Sequence, residues 1–226
     1  MRNKTPEPAG GFTLVDLLLI VAAIIGLAAI VLPYLARTNQ RSPRISCTNH
    51  LKQVGLAFRI WAGDNNDKFP TQVSSTNGGA MELAATGNVA AVFLVMSNEL
   101  STPKILFCPT DRIRQQATVF ASTHPGNTNV SYFVGLDATD TAPNMFLAGD
   151  DNFLVGSTRK GDVGGAPARS GILSLTTNTP IAWSETRHEK QGNVGLADGS
   201  VQGFSSTALR TALANTGVET NRVVMP

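Results

Sequence analysis

Residue types able to do chemistry are sparse in this chain: two cysteines, three histidines and a few acids set among turn residues. Cys47 and Cys108 admit two readings. Outside the cytoplasm they are candidates for a disulfide, which would close a loop of about 60 residues and stabilise the fold by on the order of 4 kcal/mol. The other reading is a pair of buried free thiols. His50, His124 and His188 lack the paired spacing of zinc ligands, so no metal site is expected. Asp64-Asn65-Asn66-Asp67 lacks the full ligand series and closing glutamate of a calcium loop; it reads as a polar helix end, and calcium has no support as a cofactor. Asp150 and Asp151 could bind a cation but read as exposed turn acids. Ser157 and Lys160 have SxxK spacing in a Gly-rich stretch, without the companion SDN and KTG motifs. His188 and Asp198, separated by nine residues, can approach across a strand and a turn. Asp198-Gly199 is accounted for by the turn, and His188 by its place at the start of a strand, so both are read as structural. There is no nucleophile elbow, no HExxH and no phosphate-binding Gly-Lys loop. No catalytic residue and no cofactor is assigned.

The elements that would position these residues begin with an unusual N-terminus. Residues Phe12 to Leu35 contain one charge, Asp16, and 15 side chains of the Leu/Ile/Val/Phe set. As a helix this run is roughly 36 Å long, against about 30 Å for a hydrocarbon core. Beyond it, Leu51, Val54, Phe58 and Trp61 recur at helical steps, predicting a second apolar stretch that ends near Gly63, with Pro43 interrupting or kinking the helix. A short helix is expected at Met81 to Ala85, and Asn88 caps another over Val89 to Ser97. Ile105 to Phe107 reads as a short buried strand. Further strands are expected at Val130–Val134, Met145–Ala148, Ile172–Leu175 and Ile181–Ser184, with Gly156 to Gly171 as a long exposed loop. Asp198-Gly199 predicts a two-residue hairpin turn that sets Leu196 opposite Val201. Ser206 or Thr207 then caps a helix over Ala208–Ala214, and Gly217 lies past its end. The fold class is α+β, a long N-terminal helix packed on a C-terminal antiparallel sheet.

The junction before the apolar run carries a resemblance. Gly10-Gly11 is followed at once by Phe12-Thr13-Leu14-Val15-Asp16 and then hydrocarbon. This resembles the class III signal of type IV pilins and type II secretion pseudopilins. The resemblance implies cleavage after Gly11 by a prepilin peptidase, methylation of Phe12, and retention of the helix as a filament core. The acid at Asp16, a glutamate more often in that family, would then pair with the amino terminus of a neighbouring subunit. Gly26 and Pro33 stand where the family often has glycine and proline, and Pro33 is expected to kink or loosen the helix. Near the C-terminus, His188, nine residues and Asp198-Gly199 resemble the H-x9-DG segment of prepilin-like proteins. CTNHLKQVGLAFRIWAGDNNDKFP, STPKILFCPTD and SYFVG are similar to the same group. The implied organisation is a leader over 1–11, a membrane and filament-core helix over 12–36, its continuation over 37–63 and an extracytoplasmic, pilin-like domain over 64–226.

Charge says what such a protein would meet. The chain holds 18 basic and 16 acidic side chains, a net charge of +2, and only 15% of its residues are charged. Removing Arg2, Lys4 and Glu7 with the leader leaves 16 against 15. With no basic footprint, nucleic acid is not expected as a partner. Arg37, Arg41 and Arg44 after the span outnumber Arg2 and Lys4 before it, so a count of positives favours the reverse orientation. The resemblance places the leader in the cytoplasm, where the processing signal is presented, and the protein in the inner membrane as a single-pass precursor, then in a periplasmic or cell-surface filament. It implies as partners further pilin subunits, the peptidase, an assembly platform with its ATPase, and lipid before assembly. The competing reading is a membrane-anchored extracytoplasmic binding or hydrolytic domain that uses the helix only as a tether.

Overall fold

Thr13 starts the first helix for a local reason. Its hydroxyl accepts from the Asp16 backbone N–H at 3.3 Å, while the Asp16 carboxylate accepts from the Thr13 backbone N–H at 3.0 Å and from its hydroxyl at 2.7 Å. This reciprocal arrangement satisfies donors that a helix start leaves free. The computed structural model describes residues 13–121, 125–159 and 162–226. The leader, the Gly11-Phe12 junction, His124 and Lys160 lie outside the described residues. Two compact units result, Met1–Ser42 and Pro43–Pro226.

Helix α1 runs over Leu14–Asp64, without the break expected at Pro43. A proline inside a helix costs about 3 kcal/mol. Downstream of Pro43, however, Cys47, Leu51, Val54, Phe58 and Trp61 are all buried. At about 1.5–3 kcal/mol for each large side chain, their burial outweighs the lost hydrogen bond. The helix ends in the expected polar cluster, where Asn66 and Asp67 take φ of 57° and 56° and the Asp67 N–H bonds the Ala62 carbonyl at 2.9 Å.

Short elements follow: α2 (Met81–Ala85), α3 (Val89–Val95) and α4 (Ser97–Leu100). Asn88 caps α3 as expected, its side chain accepting from Ala91 N at 3.1 Å. The strand expected at Ile105 to Phe107 is instead a 3-10 turn over Pro103–Leu106. Pro103 presets the turn's φ at its first position and Thr102 accepts from Lys104 N, so local capping overrides the apolar run.

The strands are β1 (Tyr132–Gly135), β2 (Phe146–Asp150), β3 (Phe153–Arg159), β4 (Asp162–Pro167), β5 (Gly171–Thr176), β6 (Ile181–Trp183), β7 (Gln191–Leu196) and β8 (Val201–Ser205). Helix α5 (Ser206–Ala214) and a last strand, β9 (Thr220–Met225), complete the chain. Six strands form one antiparallel sheet in the order β5-β9-β1-β2-β7-β8, and β4-β3-β6 form a second. The sequence reading assigns nothing past Gly217, yet β9 lies in the interior of the larger sheet. The expected loop over Gly156 to Gly171 is also overturned: β3 and β4 pair from Leu154↔Pro167 to Arg159↔Asp162. Main-chain ladders need no apolar side chains, so small residues hide such a hairpin from a pattern search.

The last hairpin also differs from its expected register. Gly195, not Leu196, faces Val201. The connection is one residue longer, Ala197-Asp198-Gly199, with φ +87° at Gly199 alone. Tertiary bonds explain the change: Ala197 N reaches the Met145 carbonyl at 2.9 Å and Asp198 N the Pro143 carbonyl at 3.2 Å. Helix α5 is capped one residue earlier than expected, by Ser205, whose hydroxyl accepts from Ala208 N at 3.3 Å.

Within the larger unit, alternation along the strands sends side chains into two cores. Tyr132 and Val134 join α1 residues Cys47 to Ala62 and the short helices on one face. Phe133, Val194 and Val223 join Trp183 of β6 and Leu209 and Leu213 of α5 on the other. Sequence and structure agree on an α+β fold whose helix packs on an antiparallel sheet.

Candidate functional site

Two regions carry features beyond folding. The first is the start of α1. Leu14–Pro33 has a mean hydropathy of 2.9, none of it is buried, and it is long and apolar enough to cross a membrane. Gly26 and Pro33 are exposed on this stretch, and a Cβ added at Gly26 would meet nothing within 4 Å. Asp16 is bonded to Thr13 of its own chain.

The second region lies inside the larger unit, where three segments each contribute to two adjoining buried clusters. The loop after the Pro103–Leu106 turn supplies Cys108 to one cluster and Asp111 to the other. The end of β2 supplies Asp150 to the first, and Asp151 just beyond it goes to the second. The turn before β7 supplies His188 and Arg187 in the same way. Alternation of side-chain direction along an extended chain lets the neighbouring acids part company.

In the first cluster α1 adds Cys47. Its Sγ donates to Asp150 Oδ1 at 3.1 Å and lies 3.2 Å from the Tyr132 hydroxyl. Cys108 Sγ lies 3.4 Å from His188 Nε2 and 3.1 Å from the Thr110 hydroxyl. His188 Nε2 is 3.4 Å from Asp150 Oδ2, which also accepts from Asn193 N at 2.7 Å and Asn193 Nδ2 at 3.0 Å. One ligand-capable atom from each of Cys47, Cys108, Asp150 and His188 falls within 4.8 Å of the others. His188 Nδ1 is buried and has no hydrogen-bond partner among the described residues. His188, Glu189 and Lys190 all adopt positive φ, 51°, 54° and 61°, a conformation that costs non-glycine residues energy and persists when the surroundings impose it.

Electrostatics follow the geometry. Burial pushes the Cys47 thiol well above its usual range. The contact with Cys47 and the His188 imidazole outweigh burial at Cys108 and bring its thiol down to about 5. Burial opposes charge on His188, but Asp150 and Cys108 hold it up at about 9. Burial likewise opposes charge on Asp150, and the His188 ring, Arg187 and the Asn193 N–H overcome it to hold the carboxyl low. Both cysteines are 0% exposed. A nucleophilic role for Cys108 would need a path that this burial closes.

In the second cluster Arg187, 5% exposed, donates to the Ser131 carbonyl at 2.9 Å, lies 3.1 Å from Asp111 Oδ2 and bonds Asp151 Oδ1. Arg114 reaches Asp111 Oδ2 at 3.2 Å and also pairs with Asp151, and the Ser131 hydroxyl donates to Asp111 at 2.8 Å. Two guanidinium groups thus neutralise two carboxylates.

Several expectations change here. The cysteines are brought together as buried free thiols, the second of their two readings, in contact with each other as well as with Asp150 and His188. Asp150 and Asp151 are buried, not exposed turn acids. His188, expected at the start of a strand, lies in the turn before β7 and directs inward a side chain only 1% exposed. Asp198 stays exposed at the hairpin, accepting from Ser200 N at 2.8 Å, so His188 and Asp198 serve different places. The four-residue cluster escaped a spacing search because Cys47 and Asp150 are 103 residues apart and Cys108 and His188 are 80 apart. No protein-family model matches the chain, and neither does any curated protein or solved structure.

Proposed function

We propose that this chain is a structural subunit, a pilin or pseudopilin, of a type IV pilus-like or type II secretion-like filament, assembled through its N-terminal apolar helix. One observation carries the reading: Leu14–Pro33, the start of α1, is apolar but for Asp16 and has no buried residue, and it follows a capping Thr13 directly after the Gly11-Phe12 junction. Thirteen large apolar side chains between Leu14 and Leu32 stand exposed. At about 1.5–3 kcal/mol each they require lipid or neighbouring helices around them. Lipid and a helical filament core are equally apolar, so the hydrophobic effect alone does not choose between them. Asp16 can make the choice. A carboxylate is costly in hydrocarbon, and pairing with a cationic amino terminus relieves that cost. The Thr13 bonds already hold the carboxylate at the helix end.

In this reading the precursor sits in the inner membrane with its leader in the cytoplasm. It is cut after Gly11, methylated at Phe12 and moved by a platform and ATPase into a filament that the α+β unit coats. Mass spectrometry of protein recovered from peptidase-bearing cells tests it. The expected N-terminus is methylated Phe12, and a chain still beginning at Met1 overturns the proposal.

A further inference from the structure

We propose that Cys47, Cys108, Asp150 and His188 form a closed, tetrahedral binding site for a zinc-class divalent cation that ties α1 to the C-terminal sheet. The argument rests on geometry and donor chemistry. Zinc sits about 2.3 Å from thiolate sulfur and about 2.0–2.2 Å from imidazole nitrogen or carboxylate oxygen. A tetrahedron with such arms has edges of roughly 3.3–3.8 Å. The contacts run at 3.1 Å from Cys47 Sγ to Asp150 Oδ1, 3.4 Å from Cys108 Sγ to His188 Nε2 and 3.4 Å from His188 Nε2 to the other carboxylate oxygen, Asp150 Oδ2, and one donor atom from each of the four residues lies within 4.8 Å of the others. Small adjustments of side chains would seat the ion at their centre. Two sulfurs, an imidazole and one carboxylate favour zinc over calcium or magnesium, which take oxygen ligands in larger number.

Three of the four ligands have the outer partners that a metal centre needs, and His188 Nδ1 alone is left without one among the described residues. Tyr132 and Thr110 place hydroxyls against the two sulfurs. Asn193 donates twice to Asp150 Oδ2, leaving Oδ1 to turn toward the ion, and Thr48 of α1 donates to Asn193 Oδ1 at 3.3 Å. The adjoining arginine–aspartate cluster grips the same three segments that deliver Cys108, Asp150 and His188, and it is charge-balanced without them. It therefore positions the ligands and needs none of them to balance its own charge. The left-handed turn at His188–Lys190 aims the imidazole into the cluster despite its backbone cost. Complete burial of both sulfurs leaves no open coordination position, which marks a structural rather than a catalytic centre.

The test uses the full chain, purified in detergent without chelator and analysed by elemental mass spectrometry and thiol alkylation. The expected result is one zinc-class ion per chain, with both cysteines protected from alkylation until a chelator is added. Cobalt exchanged into the same protein should show tetrahedral ligand-field bands and a thiolate-to-cobalt charge-transfer band. Asp150→Asn should weaken zinc binding at least tenfold. Should that variant fail to fold, the cobalt spectrum of the unaltered chain still decides. A Cys47–Cys108 disulfide in protein recovered from cells, no uptake of zinc on equilibrium dialysis of the reduced chain, or an octahedral cobalt spectrum would each overturn the proposal. None of these results bears on the N-terminus of the mature chain, so the filament proposal stands or falls separately.

Discussion

Replacing Arg187 with methionine keeps an unbranched apolar stem and deletes the guanidinium. The deletion removes a donor to the Ser131 carbonyl and contacts with Asp111 and Asp151. Arg114 remains, but it is one cation facing two buried carboxylates, and its side chain is 16% exposed against 5% for Arg187. Burial already raises the Asp151 carboxyl despite both guanidinium neighbours, so losing one leaves it poorly solvated. Removing one partner of a buried pair costs about 3–5 kcal/mol. With an m-value of about 2 kcal/mol per M, the urea midpoint should fall by about 2 M. Trp61 and Trp183 are 6% and 2% exposed, so tryptophan emission in mild detergent reports the transition. If desolvated charge is the cause, Asp151→Asn should cost less in the Arg187→Met background than in the unaltered chain, with a coupling of about 0.5–3 kcal/mol. A midpoint change below about 0.5 M, or strictly additive variants, would refute the claim that this network is dry and mutually dependent.

Three further outcomes are expected. Asp16→Ala should abolish filament recovery in sheared-surface fractions while leaving the thermal transition of the larger unit unchanged, and Asp16→Glu should retain assembly; filaments from Asp16→Ala would remove the acid from the mechanism. Phe58 is fully buried with Phe69 and Phe93 edge-on at 5.8 and 6.3 Å, so Phe58→Ala should cost about 3–5 kcal/mol in chemical denaturation. Glu82 accepts from Ser75 N and the Ser74 hydroxyl, both at 2.7 Å, and the backbone bond foremost brings its carboxyl down to about 2. A depressed folded value means that this tether is complete above the ordinary value of 4.5 and is lost as pH falls toward about 2. Protection of the Ser75 amide against hydrogen exchange, taken relative to the intrinsic rate at each pH, should fall through that window, and Glu82→Gln should flatten the response.

Local rules made much of this protein legible without coordinates. Uninterrupted hydrocarbon marks the start of α1, because an apolar run of that length leaves a chain few other conformations. The Leu51-Val54-Phe58-Trp61 spacing, the Asn88 cap and the strands at 172–175 and 181–183 follow from periodicity and capping, which act over a few residues. Where neighbours compete, those rules give way. Pro43 fails to end α1 because core burial outweighs one hydrogen bond, and Leu196 loses its expected partner because Ala197 and Asp198 are bonded to the 143–145 segment. β9 enters the sheet interior through long-range pairing that its short sequence does not announce. The buried clusters belong wholly to tertiary structure. Cysteine, aspartate and histidine are ordinary residues at their separate positions in the chain. Only the meeting of α1, the 108–111 loop, the end of β2 and the left-handed turn at 188–190 turns them into one set of donors.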